Sequence, residues 1–143
     1  GDVYKRQQYF DEDFFMYYED VDLDWRAQNR GWKCFYEPRA VAYHMGNASG
    51  VMGTPLHITL SIRNRWNMIL ANECWSCIWK NLLPLAGYEI SLLRYVISHG
   101  LLSSYLAALK SFVRLLSKTV QKRRYVRSHA VILCRARPAS DES

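Results

Sequence analysis

The 143-residue chain carries only four cysteines, Cys34, Cys74, Cys77 and Cys134, too few for a fold built on disulfides. No basic and apolar leader opens it, so a reducing, cytosolic setting is the expectation. Beyond Pro84 the longest stretch without a formal charge, Tyr95 to Leu109, has 15 residues. A bilayer needs about 20, which argues against a spanning helix there. Cys74 and Cys77 form a C-x-x-C pair, but no second pair or His-x-His follows at metal spacing. Two helical cysteines packed as small hydrophobes are therefore the better reading than a zinc or redox site. An initiator Met is also missing, and "GDVYKRQ" has no hydrophobic period. Residues 1–8 are expected to be adapter-derived, which makes the chain a fragment without its N-terminal part.

What is present divides by charge. The net charge is +6, yet residues 1–60 carry six Lys/Arg against nine Asp/Glu and residues 61–143 carry thirteen against four. An acidic and a basic half imply different partners. Half of the residues are hydrophobic, enough for one core. "FFMYY" (14–18) reads as a short extended, buried piece. A helix should follow, capped by Asp20 or Asp22 and stopped by Gly31 in the left-handed conformation. "WKCFYEP" and "AVAYH" have strand character, the second ending on His44. Thr54 and Pro55 mark the next helix start, and Leu56 to about Trp79 fits one or two helices. Farther on, Lys110, Arg114, Lys118 and Lys122 share one stripe beside an apolar stripe of Leu109, Val113, Leu116 and Val120. That pattern suits a helix on an anionic membrane surface, or one covering a protein core. "RARPASDES" closes the chain as an expected disordered tail.

The crowded acids Glu19, Asp20, Asp22 and Asp24 demand a reason. A helix N-terminus tolerates acids through its dipole and free N–H groups. The aromatics before them argue for partial burial, and a half-desolvated carboxylate calls for a hydrogen-bond network, a cation or a proton to abstract. A carboxylate with a proton to abstract can serve as a general base.

"FDEDFFMYYEDVDLDWRAQNRGW" followed by "EPRAVAYHMGNASG" resembles the second half of the catalytic domain of bacterial family 2 glycosyltransferases, in the rhamnosyltransferase-like branch. The likeness runs from about Phe10 to Asn72, through "RNRWNMILAN". It implies an α/β fold, the C-terminal half of a GT-A nucleotide-diphospho-sugar transferase domain, followed by amphipathic helices. The implied organisation is 9–80 for the catalytic part, 81–134 for a basic membrane-surface region and 135–143 for the tail. Asp20 is then the general base of an inverting transfer from a nucleotide-sugar donor to a glycan or lipid-linked acceptor. Glu19 contacts the acceptor or sets the field around Asp20, Trp25 contacts the acceptor or belongs to the core, and Asp22 and Arg26 orient the helix. His44, which on its own residues reads as a hydrogen-bonded surface group, becomes a ligand for a divalent metal, Mg or Mn.

The family's D-x-D and its nucleotide-binding half do not occur in the chain, and Gln8-Tyr9 stand where a Gly-Gly is usual. The expected location is the cytoplasmic face of a bacterial inner membrane. A glycoside hydrolase is disfavoured because its two acids normally come from separate elements. Nucleic acid is disfavoured because the basic tail is mainly aliphatic. A non-enzymatic membrane-surface module is the alternative function.

Overall fold

The computed structural model describes residues 10–43 and 52–131. The described residues form five helices, α1 (Glu19–Asn29), α2 (Pro55–Asn72), α3 (Trp75–Lys80), α4 (Leu82–Ser98) and α5 (Leu102–Ser128). None of them lies in a strand. The expected α/β, GT-A-type architecture is therefore overturned: this is a helical structure. The physical cause lies in residues 32–43, whose strand-like composition finds no neighbouring strand. Phe35, Tyr36 and Tyr43 there are 85%, 90% and 99% exposed. Without a ladder partner, extended backbone leaves its N–H and C=O groups to water, and β-propensity alone does not make a strand.

Other local expectations fared better. Thr54 caps α2, its hydroxyl accepting from the His57 N–H at 3.2 Å, with Pro55 in the first turn. Gly31 has a φ of +83°. The Trp32 N–H reaches back to the Ala27 carbonyl at 3.1 Å, closing α1 in the manner a left-handed glycine permits. Neither Asp20 nor Asp22 caps α1; the cap position is Tyr18, itself left-handed, with no side-chain bond. "FFMYY" is a tight turn and not an extended piece. Of its residues only Phe14 is fully buried.

α2 and α5 run parallel, because contacts advance together along both. The Thr59 hydroxyl donates to the Ser104 carbonyl, the Thr119 hydroxyl to Asn67 Oδ1 and the Arg123 guanidinium to the Leu70 carbonyl. α4 is the return stroke between them. Ile58, Ile62, Val96 and Ala108 form the buried apolar cluster, flanked by Trp66, Leu92, Leu93, Leu101 and Tyr105. The helix from the expected membrane-surface region thus packs on the helix from the expected catalytic part.

α2 is unusual in what it buries. Asn64, Arg65, Asn67 and Asn72 are all inside, where each polar group must find a partner. Asn67 holds α5 through Thr119 at 2.8 Å. Asn72 holds α1, its amide donating to Asp22 Oδ1 at 2.7 Å, while the Asn29 amide donates to the Asn72 carbonyl at 3.2 Å. Asn64 holds the loop before α1. This polar spine fixes which element sits against which turn of α2, a specificity that apolar contacts alone do not give.

Lys118 and Lys122 do not stand free on a basic stripe. Lys122 Nζ lies 2.5 Å from carboxylate oxygens of Asp11 and Asp13, and Lys118 lies 3.2 Å from Asp13. Burial alone would raise the Asp13 pKa. The bond and charge of Lys122, then of Lys118, outweigh it and hold the carboxyl below its usual range. The neighbouring apolar stripe is solvent-facing, with Val113 66%, Leu116 37% and Val120 36% exposed. Among the described residues no helix is long and apolar enough to cross a membrane. Residues 1–9 and 132–143, including the expected adapter-derived segment and tail, lie outside the described residues.

Candidate active site

The turn from Asp11 to Tyr18 leads into the acids of α1. Phe14 N–H bonds to the Asp11 carbonyl, Phe15 N–H to Glu12 and Met16 N–H to Phe14, at 3.0, 3.2 and 2.7 Å. Phe15, Tyr17 and Tyr18 all take positive φ, at 61°, 69° and 69°. For residues with a Cβ this conformation costs about 1–2 kcal/mol each. Aromatic side chains there signal strain held by its surroundings.

The restraint comes from α2. Asn64, with no exposed surface, aims its amide at the carbonyls of Phe14, Met16 and Tyr17 at 2.9, 2.7 and 2.9 Å. Arg63 adds bonds from one nitrogen to the Asp13 and Phe14 carbonyls at 2.9 and 3.0 Å. Two adjacent side chains thus satisfy the carbonyls that the strained turn takes out of regular pairing. Tyr17 is further steadied by His57, edge to face with ring centroids 4.8 Å apart. Burial, then Tyr88, pushes the Tyr18 phenol pKa up, with Arg65 opposing.

The helix start presents two different carboxylates. Glu19 is half-buried, and its Oε2 is enclosed without a hydrogen-bond partner among the described residues. Asp20 is exposed, and its Oδ1 accepts the Val21 N–H at 2.8 Å. The expected half-desolvation falls on Glu19 and not on Asp20. An exposed Asp20 is open to an incoming hydroxyl, while Glu19 holds an acceptor atom that protein alone leaves unsatisfied.

Asp22 and Arg26, expected to orient the helix, are 2.7 Å apart, with Asp22 buried and also held by Asn72. Their geometry is that of an anchor between α1 and α2. Trp25 is half-buried on the same helix, and Asp24 is exposed. His44 lies outside the described residues.

No cluster among the described residues suits a hard divalent ion. Among the described residues, the side chains that approach one another at metal-ligand range are Glu73, Cys74 and Cys77, whose ligand atoms lie within 4.8 Å. Two sulfurs and one oxygen suit zinc or copper(I) better than Mg or Mn. The buried Cys74 sulfur already has a structural task, accepting from the Cys77 N–H at 3.3 Å at the start of α3.

Arg63, Asn64, Asn72 and His57 escaped the sequence reading as site-building residues. For Arg63, Asn64 and Asn72 the signal was present in "SIRNRWNMILAN". Polar residues at helical positions that face inward break the apolar period, and such breaks concentrate at functional or strained places. Comparison with protein-family models, with curated proteins and with solved structures found no match.

Proposed function

We propose that this chain serves an inverting glycosyl transfer from a nucleotide-sugar, of rhamnose type, to a glycan or lipid-linked acceptor, with Asp20 as the general base. The observation that supports it is the acidic pair Glu19-Asp20 displayed by a strained turn that a buried asparagine and its neighbouring arginine clamp. A chain has no stability reason to keep three aromatics left-handed. The outcome of that strain is a fixed direction for the first turn of α1.

The acceptor hydroxyl donates its hydrogen bond to the Asp20 carboxylate and attacks the anomeric carbon. The new carbon–oxygen bond forms as the bond to the nucleotide diphosphate breaks on the opposite face, and the hydroxyl proton passes to Asp20. Inversion follows from one displacement. Glu19, whose unpaired Oε2 is enclosed, sets the field around Asp20, and Trp25 offers its ring to the acceptor sugar. Docking of the acceptor supplies the desolvation that the exposed Asp20 lacks before binding. A divalent ion held through His44 remains a proposal from the family resemblance, and no step is derived through it.

Asp20→Asn, in this chain and in a version extended by its upstream reading frame, is expected to abolish transfer with donor affinity nearly unchanged, because a base acts in the transition state. Asp24→Asn, an exposed acid on the same helix, serves as the control. Undiminished transfer by Asp20→Asn refutes the assignment.

A second reading, a membrane-surface module at the cytoplasmic face of a bacterial inner membrane, is favoured by the solvent-facing stripe of Val113, Leu116 and Val120 beside Lys110 and Arg114. The two readings are compatible, since a lipid-linked acceptor resides at that surface.

A further inference from the structure

Where α2 ends and α3 begins, against the last third of α5, lies a groove of about 480 Å³. Its volume is that of a small-molecule site, in the range of about 300–1,000 Å³. Leu70, Trp75, Leu116 and Val120 line it, and arginines of α5 rim it.

Arg123 is fully engaged within the protein. One of its nitrogens donates to the Leu70 and Glu73 carbonyls, both at 2.6 Å, and its guanidinium lies over the Trp75 ring at 4.2 Å. It shapes the groove and places the indole. Arg124 and Arg127, by contrast, form no ion pair among the described residues. After burial, the charge of Arg127 is the next cause that pushes the Arg123 pKa down, with Cys74 and Glu73 opposing, so the two cations repel one another.

We infer that this groove seats one anionic phospholipid, its phosphate on Arg124 and Arg127 and an acyl chain along Leu70, Leu116 and Val120. Charge and polarity select this occupant together. A free phosphate would leave the apolar floor wet, and a neutral hydrocarbon would leave the guanidinium groups without a counter-charge. Trp75, 54% exposed, stands at the mouth. Trp79, Leu82 and Leu83, which follow in the chain, are exposed by 69%, 48% and 84%. Tryptophan favours the boundary between headgroups and hydrocarbon. The site is separate from Asp20 in sequence and element, and it holds whether or not the chain transfers sugar.

The test is calorimetric titration of the full chain with dihexanoyl-phosphatidylglycerol below its micelle-forming concentration, and with glycerol phosphate. The lipid should bind saturably, with a fluorescence change that Trp75→Phe abolishes, and glycerol phosphate should not. Arg124→Gln with Arg127→Gln should weaken lipid binding about 25-fold, taking about fivefold for each basic residue. Lys110→Gln with Arg114→Gln should leave this monomeric binding unchanged. Equal binding of glycerol phosphate, an unaltered affinity in the double arginine variant, or no saturable binding overturns the proposal. The last result includes the cases in which a second copy or residues 132–143 fill the groove, read by sedimentation and by truncation after position 131.

Discussion

Replacing Asn64 by Ala cuts the bonds to the Phe14, Met16 and Tyr17 carbonyls and the bond that its Oδ1 accepts from Arg63 Nε at 2.9 Å, and leaves the bonds of Arg63 to the Asp13 and Phe14 carbonyls in place. The NH2 group has two hydrogens to share among the three carbonyls, and Oδ1 accepts one bond from Arg63, so at a net value of about 0.5–1.5 kcal/mol per hydrogen bond the amide contributes about 1.5–4.5 kcal/mol. Against this stands the strain of three left-handed aromatic residues, about 3–6 kcal/mol in total at 1–2 each. The two quantities are of similar size, so the turn is held in balance. Without the amide it should unhook locally and recover its strain, and the helices should stay folded. Global stability of Asn64→Ala should therefore fall by only about 1–3 kcal/mol. Exchange of the Phe14, Met16 and Asp22 amides should quicken by about 10–100-fold, at 1.4 kcal/mol per tenfold. Asn67→Ala, which loses the Thr119 bond on the same helix, should lower stability without changing exchange in the turn. Urea unfolding and hydrogen exchange read by mass spectrometry measure both quantities. A stability loss under about 0.5 kcal/mol with unchanged exchange in the turn refutes the clamp.

Two further outcomes follow from the same turn. Phe15 is 73% exposed at a φ of 61°, so Phe15→Gly relieves backbone strain and gives up little burial. Urea unfolding should show a gain of about 0.5–1 kcal/mol, after allowing for the freer unfolded chain. Asp13 has its folded pKa below the usual 3.8, so its pairs with Lys122 and Lys118 contribute stability that is fully present above that value and is lost as pH falls through the folded one. The stability difference between the native chain and Asp13→Asn should shrink as pH falls below 3.8 and through the lower folded value, and a difference that stays constant as the carboxyl is titrated contradicts the pairing.

Where the sequence could be read, the cause was local. Thr54-Pro55 and Gly31 act on their own backbone, so a cap and a left-handed stop needed no knowledge of the rest of the molecule. The strand reading of residues 32–43 failed because a strand is a relation between two segments, and among the described residues no partner meets them. The stripe of Lys110, Arg114, Lys118 and Lys122 gave the correct helix, yet half of it is spent on Asp11 and Asp13, some hundred positions away. Periodicity reports which residues share a face but not what lies across from it. The acids of α1 were legible as a place of interest, and their sorting was not. The structure buries Asp22 with Arg26 and Asn72, half-buries Glu19, and leaves Asp20 open. That division depends on which turn of α2 lies beneath each acid.

The most direct measurement is the turnover number for sugar transfer by Asn64→Ala in the version extended by its upstream reading frame, taken where the variant is folded and saturated with donor. If the clamped turn aims Asp20 at the acceptor hydroxyl, turnover should drop at least about tenfold while donor affinity holds, since only the placing of the base has changed. Turnover equal to that of the native chain, with the turn shown by exchange to have opened, would contradict the account.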